Sequence, residues 1–386
     1  MSSLFSTYNK WEVEVAKGQG SYLIDTEGKE YLDFVQGIAV NNFGHCHPTI
    51  TKAVKDQLDL LWHSSNLFQI KQQEEVAKIL TEHSVCDHVF FCNSGAEANE
   101  AAIKLARKAT GKHKIISMKD SFHGRTFATM SATGQEKIHG GFGPLLSSFD
   151  YSPFNDTETL LKKVNDDVAA IMIEVVQGEG GVRVLEPSFA KALIELTKEK
   201  EILLIIDEVQ TGIGRTGSFF AYEQFGLSPD IVTLAKGLGN GFPVGAMLGK
   251  AHLNDAFQAG SHGSTFGGNP LAMTAAKAVL EELLAQDFQE IKEKATKWKH
   301  VLREELMDHS FVNEVRGLGF LIGIACSGPV NEVITKIRRH GLLVLPAGLN
   351  VIRLLPPINV SEQDLNKAVQ IIKQSMNESK KEISVS

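Results

Sequence analysis

The sequence holds a lysine in a glycine-rich stretch, where its side-chain amine could act as a nucleophile. Lys236 follows a short apolar run over residues 231–235, and five of the thirteen residues after it are glycine. Apolar surroundings disfavour the charged form of an amine and leave it free to attack a carbonyl group. Glycines would let a flat ligand lie close to the backbone. Taken alone, a surface lysine in a flexible loop is the commoner explanation of such a pattern.

A carboxylate upstream supplies a second group for the same chemistry. Residues 201–210 read E-I-L-L-I-I-D-E-V-Q, an aliphatic run that ends in Asp207 and Glu208. Such a run is typical of a strand buried on both faces of a parallel sheet, and it places Asp207 at the sheet edge where open α/β folds bind ligands. A buried aspartate near a reactive lysine suggests pyridoxal phosphate. Lys236 would form the Schiff base (the internal aldimine), and Asp207 would keep the pyridine nitrogen protonated.

These two segments resemble those of a known enzyme family. D-E-V-Q-T-G from Asp207 and T-L-A-K-G-L-G-N-G-F-P-V-G from Thr233 are similar to motifs of the class III pyridoxal-phosphate aminotransferases, and the resemblance extends over nearly the whole chain. It implies an α/β protein of fold type I, with a mostly parallel seven-stranded sheet flanked by helices and a smaller α+β domain. We expect residues 1–48 to join the small domain, residues 49–284 to form the large cofactor-binding domain, and residues 285–386 to form the C-terminal small domain.

A predicted helix start offers a seat for the cofactor phosphate. Ser94 and Glu97 have the spacing of a capping box after a strand over residues 87–92, and an apolar stripe follows (Ala98, Ala101, Ala102, Leu105, Ala106 and Ala109). The free amides of a helix N-terminus attract anions. A capped helix without any ligand is the commoner case for one such box. The resemblance of N-S-G-A-E-A-N-E to the family assigns Ser94, Gly95 and Ala96 to phosphate binding.

Three further cofactor contacts follow from the resemblance alone. In the motif F-H-G-R-T, Phe122 would stack on the pyridoxal ring, and Gln210 would hydrogen-bond the ring oxygen. Thr265, in a loop before a helix, would reach the cofactor phosphate of the neighbouring subunit. The resemblance therefore implies a homodimer with composite active sites.

The substrate contacts are also implied by the resemblance. Arg125 would bind the distal carboxylate of a substrate, and Ser264 would lie at the substrate site. Arg353 stands in an otherwise apolar strand, which indicates either a buried ion pair or a ligand site. The family favours a ligand site, with Arg353 binding the carboxylate beside the reacting carbon and Glu179 pairing with it when the substrate has no carboxylate there.

The activity that the resemblance implies is amino transfer. The δ-amino group of N2-acetyl-L-ornithine would pass to 2-oxoglutarate, giving N-acetyl-L-glutamate 5-semialdehyde and L-glutamate, a step of arginine biosynthesis. Transaminases acting on ornithine, 4-aminobutyrate or a succinylated diamine share these motifs and remain alternatives, as do a class III aminomutase and a non-enzymic binding module. His123 distinguishes the motif from the F-W-G-R-T that we associate with ornithine aminotransferases.

Other patterns point to chemistry that we do not expect. Residues 212–217 read G-I-G-R-T-G, a formal dinucleotide fingerprint, but no helical stripe follows it. The run ending at Asp207 resembles the acidic motif of a P-loop NTPase, yet the sequence has no G-x-x-x-x-G-K-[S/T]. His45-Cys46-His47 precedes Pro48 and is better explained as a turn before a helix than as a metal site.

Composition narrows the classes of partner and location. The 386 residues are 43% hydrophobic and 22% charged, which suits a globular protein of two domains. A net charge of -7 argues against nucleic acid and anionic membranes as partners, so we expect small-molecule substrates. The four cysteines lack C-x-x-C spacing. Neither a signal peptide nor an apolar run near the ~20 residues of a membrane span is apparent, and we expect a cytoplasmic protein.

Overall fold

The computed structural model describes residues 3–383. The strands, in chain order, are β1 (Val15–Gln19), β2 (Tyr22–Asp25), β3 (Glu30–Asp33), β4 (His88–Cys92), β5 (Lys114–Met118), β6 (Phe149–Ser152), β7 (Val168–Ile173), β8 (Val176–Gln177), β9 (Arg183–Val184), β10 (Leu203–Asp207), β11 (Ile231–Leu234), β12 (Gly245–Gly249), β13 (Val312–Leu318), β14 (Leu321–Cys326), β15 (Leu342–Leu343), β16 (Leu345–Pro346) and β17 (Val351–Leu354). The helices are α1 (Gln36–Ala39), α2 (Pro48–Leu58), α3 (Lys71–Glu82), α4 (Gly95–Thr110), α5 (Phe127–Ala132), α6 (Glu136–His139), α7 (Thr157–Lys163), α8 (Pro187–Lys200), α9 (Pro270–Leu284), α10 (Phe288–Leu306), α11 (Asn331–Arg339) and α12 (Glu362–Ile383). Short 3-10 helices cover Ala221–Phe225, Lys236–Leu238 and Ala251–Phe257.

The main sheet has the predicted architecture. Within the described residues its seven strands lie in the order β4-β12-β11-β10-β7-β5-β6. The pairs β11–β10, β10–β7, β7–β5 and β5–β6 are parallel, and β12 runs antiparallel to both its neighbours. The central strands β7, β10 and β11 are almost entirely buried, as continuous aliphatic runs predict. The fold class, a mostly parallel sheet of the α/β type, is confirmed.

Two smaller sheets contain most of the remaining strands. An N-terminal hairpin is formed by β2 and β3, which β1 and β15 extend into a sheet of order β1-β2-β3-β15. This pairing of β15 with β3 joins the N-terminal segment to the C-terminal part of the chain. The strands β13-β14-β17-β16 form an antiparallel sheet. The domain boundaries at 48/49 and 284/285 stay a prediction, and residues 1, 2 and 384–386 of the outer segments lie outside the described part.

Three local sequence patterns extend further than the structure that they predict. Residues 49–62 have helical spacing, but α2 ends at Leu58, where the chain turns after Asp59. Residues 169–176 have the pattern of one buried strand, but β7 ends at Ile173, and Glu174 is free to turn towards the site described below. Ala109 is exposed, although the rest of the α4 stripe is buried.

The segment 212–217 ties distant parts of the chain together. It forms consecutive turns, and no helix begins within it, as a dinucleotide site would require. Arg215 in its centre is fully buried, and burial lowers the pKa of its guanidinium to about 9. It donates to the carbonyls of Phe320 and Pro356 and to Asn42 Oδ1 at 2.7 Å. Because these partners come from both ends of the chain, Arg215 fixes the N-terminal and C-terminal segments against the main sheet.

No helix among residues 3–383 is long and apolar enough to cross a membrane. Over the same range, no group of three or more His, Cys, Asp or Glu side chains is arranged to hold a metal ion. In the His45-Cys46-His47 segment, His45 Nε2 lies 2.7 Å from a carboxylate oxygen of Asp33.

Candidate active site

The reactive lysine lies at the edge of the main sheet. β11 ends at Leu234, and Lys236 begins a short 3-10 turn with a left-handed φ of 43°. Such a backbone conformation is strained for a residue other than glycine and is often found at functional sites. Its amine makes no hydrogen bond or ion pair with any residue from 3 to 383. Burial lowers the pKa of Lys236, although Glu179 opposes the shift.

Asp207 is held rigidly beside it, because β10 and β11 are parallel neighbours with Asp207 opposite Thr233. The carboxylate is 4% exposed. Its Oδ2 accepts Asn99 Nδ2 and lies against His123 Nδ1, both at 2.8 Å, and its Oδ1 accepts the Val209 amide at 3.0 Å. These hydrogen bonds hold the buried carboxylate in one orientation, and Oδ1 keeps acceptor capacity for a further donor.

A cavity of about 260 Å³ opens between these groups. Its lining combines glycines, polar side chains and the reactive lysine: Gly95, Ala96, Asn99, Phe122, His123, Gly124, Arg125, Glu174, Asp207, Val209, Gln210 and Lys236. Most of the cofactor residues expected from the sequence are therefore brought to one place. The exposed guanidinium of Arg125 lies 5.7 Å from the centre of the Phe122 ring.

The start of α4 presents free amides to this cavity. Ser94 caps the helix by accepting the Glu97 amide at 3.2 Å. The reciprocal half of the capping box differs, because the Glu97 carboxylate bonds Asn93, with 2.9 Å to its Nδ2, instead of the Ser94 amide. The amides of Gly95 and Ala96 have no acceptor in the part of the chain that the structure describes. They are available for an anion, as helix N-termini are in general.

These groups fit pyridoxal phosphate. The cofactor needs an unpartnered amine for its aldehyde, a carboxylate for its ring nitrogen and an anion site for its phosphate. Lys236, Asp207 and the amides at the start of α4 supply one of each around a single cavity. Gly95 closely approaches the neighbouring loop, since a Cβ placed on it would lie 2.8 Å from Val209 Cγ1.

Arg353 lies beside the cavity and is already paired. Its Nη1 donates to Glu179 Oε1 at 2.6 Å and to Gln210 Oε1 at 3.1 Å. Its Nε is buried and has no partner among residues 3–383. Burial alone would raise the pKa of Glu179, but the charge and hydrogen bond of Arg353 hold that pKa below its ordinary value. The contact between Glu179 and Arg353 is thus present in the structure, whereas the substrate roles of both residues stay predictions.

Besides Glu179 and Arg353, three of the expected residues lie outside the cavity lining. Thr265 is exposed, on a loop at the surface. Ser264 structures that loop by accepting the Gly267 amide at 3.0 Å and Asn93 Nδ2 at 3.1 Å. Ser94 acts through the helix cap. The roles of these three residues towards the cofactor phosphate or substrate stay predictions.

Three residues of the site have structural roles that the sequence did not predict. Asn99 and His123 position Asp207, and Asn99 also accepts the Thr233 hydroxyl at 2.7 Å. Glu174 accepts the Phe122 amide at 3.0 Å, and burial raises the pKa of Glu174 to about 7. An asparagine inside the alanine stripe of α4 and a glutamate ending a buried strand were the signals available. They mark polar groups that must be satisfied inside the protein.

Comparison with known proteins gives the family. The model of the class III aminotransferases matches residues 6–376. The acetylornithine aminotransferase of Bacillus subtilis (strain 168) is 57% identical and covers 97% of this chain and 98% of its own length. Among solved structures, the ornithine aminotransferase of Toxoplasma gondii, whose active site holds pyridoxal phosphate at partial occupancy, has a TM-score of 0.93 at 32% identity, covering 98% of this chain and 93% of its own. The N-acetylornithine aminotransferase of Stenotrophomonas maltophilia K279a has a TM-score of 0.84 at 34% identity and covers 99% of both chains. The chain belongs to the class III aminotransferases, enzymes that use pyridoxal phosphate.

Proposed function

We propose that the protein transfers the δ-amino group of N2-acetyl-L-ornithine to 2-oxoglutarate, giving N-acetyl-L-glutamate 5-semialdehyde and L-glutamate, as arginine biosynthesis requires. The observation that carries the proposal is the ion pair of Arg353 with Glu179 beside Lys236. A pre-paired arginine lets one site serve both a substrate with a carboxylate at the reacting carbon and a substrate without one. The name of the Bacillus subtilis relative supports the choice of amino donor.

The chain's own groups would divide the work. Bound pyridoxal phosphate supplies a conjugated ring that takes up the electron pair released when a C–H bond of the substrate breaks. Lys236 Nζ would take the proton from the substrate carbon and return it, because burial lowers its pKa and favours the neutral amine. Asp207 would hold a proton on the ring nitrogen, since Asn99 and His123 keep its carboxylate in place.

Two arginines would hold the two substrates. Glutamate carries a carboxylate at its reacting carbon, and Arg353 would bind it after Glu179 moves aside. N-acetylornithine reacts at its far end, so Arg353 would face no carboxylate there, and Glu179 would keep its charge paired. An unpaired buried charge would be costly. Arg125, exposed at the mouth of the cavity, would bind the distal carboxylate of either substrate.

The test is the first half-reaction, measured without a keto acid. Cofactor-loaded protein is mixed with N-acetylornithine or with ornithine, and the visible absorbance of the cofactor is followed in a stopped-flow instrument. We expect fast loss of the visible band with the acetylated compound and slow loss with ornithine. The reverse preference would identify an ornithine aminotransferase. Amino-group migration that needs no second keto acid would identify an aminomutase.

We also propose a homodimer with composite sites, in which Thr265 serves the partner's cofactor. An apolar surface surrounds the loop that carries it: Leu67 is 90% exposed, Phe68 67% and Phe266 57%. Residues 66–68 contact the loop that carries Thr265, since Asn66 Nδ2 donates to the Gly267 carbonyl at 3.0 Å. An exposed apolar patch of this kind suits association. Light scattering should give a dimer for the native chain and a monomer for Leu67→Glu. A cytoplasmic location stays a prediction of the sequence.

A further inference from the structure

A row of cross-strand partners runs over the sheet face that carries Arg353. Arg316 on β13 is opposite Gly323 on β14, and Gly323 is opposite Arg353 on β17. Directly opposed residues of antiparallel strands project from the same face of a sheet. The two arginines therefore stand on either side of a position that has no side chain.

The tip of the β8–β9 hairpin, residues 178–182, fills that gap. Val182 is fully buried and packs directly on Gly323. A Cβ placed on this glycine would lie only 2.8 Å from Val182 Cβ. The carbonyl of Gly181 accepts both Nε of Arg316 at 3.0 Å and Nη2 of the same guanidinium at 2.7 Å. The tip therefore contacts all three residues of the row. Gly181 bonds Arg316, Val182 packs on Gly323, and Glu179 pairs with Arg353.

The tip has a backbone that needs such support. Val182 has a φ of 53°, and Gly181 has a φ of 96°. A β-branched residue in the left-handed region is strained and persists only where surrounding contacts impose the conformation. The apolar contacts of Val176 and Val182 with Leu321 and Val351 supply part of that constraint. The double hydrogen bond from Arg316 supplies the polar part.

We propose that Arg316 is a positioning residue that, by holding the Gly181 carbonyl, fixes Glu179 against Arg353 and so sets the preference of the site between its two kinds of substrate. The inference rests on the proposed function and deepens it. Arg316 lies on a different strand from Arg353 and does not line the 260 Å³ cavity. It lines a larger cleft of about 840 Å³ together with Glu179 and Gly181, and its hydrogen bonds to the Gly181 carbonyl connect it to the hairpin tip.

The direction of the effect follows from the pairing. While Glu179 is fixed, the charge of Arg353 is cancelled, which suits a substrate without a carboxylate at the reacting carbon. Loosening the tip lets Glu179 leave more easily, which favours glutamate. Hydrogen bonds from a charged donor are strong enough that their loss should change the ratio of the two substrate affinities by roughly tenfold.

The experiment compares Arg316→Met and Arg316→Lys with a matched control. Methionine keeps an extended apolar side chain without donors, and lysine keeps the charge but cannot direct a planar pair of N–H groups at one carbonyl. The control is Glu314→Gln, which removes the exposed carboxylate that lies 2.9 Å from Arg316 Nη1 and leaves the bonds to Gly181 intact. Half-reactions with N-acetylornithine and with L-glutamate are measured separately. Amide hydrogen exchange is measured over residues 178–183.

In the Met variant we expect a raised KM for N-acetylornithine, an unchanged or lowered KM for glutamate, and faster exchange at the tip. The Lys variant should lie in between, and the control should match the native protein in all three readouts. Equal changes of both KM values, or native exchange at the tip in the Met variant, would overturn the inference. If the native protein reacts with a donor other than N-acetylornithine, the proposed function fails, and the exchange and the ratio with that donor still decide the role of Arg316.

Discussion

The ion pair between Arg353 and Glu179 can be tested by removing the guanidinium of Arg353. Arg353 is 2% exposed, Glu179 is 29% exposed, and the two meet at 2.6 Å. Removing one partner of a fully buried ion pair costs about 3–5 kcal/mol of unfolding free energy. Glu179 also borders a larger cleft of about 840 Å³ and can recover some hydration there. We therefore expect Arg353→Met to lower the unfolding free energy by about 2–3 kcal/mol, at or below the lower limit of that range.

The same variant should separate the two half-reactions. Glutamate would lose two charge-assisted hydrogen bonds worth about 1.5–3 kcal/mol each, so its half-reaction should slow by roughly 10² to 10⁴-fold. N-acetylornithine would lose no direct contact, and its half-reaction should change far less. Single-turnover absorbance changes with each amino donor measure the two half-reactions, and urea unfolding measures the loss of stability.

A double variant supplies the control. Arg353→Met leaves a carboxylate without its partner, and adding Glu179→Gln removes that charge. The double variant should regain most of the lost stability and keep the defect with glutamate, because the carboxylate receptor is still absent. Equal slowing of both half-reactions by Arg353→Met would refute the assigned division of roles, and additive losses of stability would show that the two residues are not coupled.

Three further experiments test the cofactor site. In cofactor-free protein, the amine of Lys236 should react with an acylating reagent near pH 8 faster than exposed lysines do, because burial lowers its pKa and increases its neutral fraction. Competitive labelling with peptide mapping measures this rate, and a rate equal to that of surface lysines would contradict the prediction. Gly95→Ala should weaken cofactor retention on dialysis by roughly tenfold, since the new Cβ would lie 2.8 Å from Val209 Cγ1, whereas Gly140→Ala, with nothing within 4 Å, should retain it fully. Asn99→Leu removes a donor to the buried Asp207, so it should lower kcat and should lower the unfolding free energy by about 1–3 kcal/mol. Steady-state kinetics and thermal unfolding measure the two effects. An unchanged kcat would contradict the positioning role of Asn99.

Local patterns were enough to predict the framework of the site. The aliphatic run before Asp207 and the shorter run before Lys236 became adjacent buried strands, because continuous apolar residues can be satisfied only inside a parallel sheet. Ser94 predicted the start of α4 correctly, since an N-cap is encoded by a few consecutive residues. Each of these signals is contained within about a dozen residues.

Contacts between distant segments could not be predicted in the same way. Arg215 stands in what looks like a dinucleotide motif, but its partners lie 105, 141 and 173 residues away. The hairpin tip at residues 178–182 depends on the register of β13, β14 and β17, which no local pattern fixes. The half of the capping box that failed is similar, because Glu97 is drawn to Asn93, whose side chain is itself held by the loop at Ser264.

The most direct test of the account is to find which residue binds the cofactor covalently. Cofactor-loaded protein is treated with borohydride, digested, and searched by mass spectrometry for the peptide that carries the reduced pyridoxal group. We expect a single modified lysine, Lys236, and no modification when Lys236→Ala is treated in the same way. Modification of another lysine in the native protein, or none at all, would contradict the assignment of Lys236 as the centre of the active site.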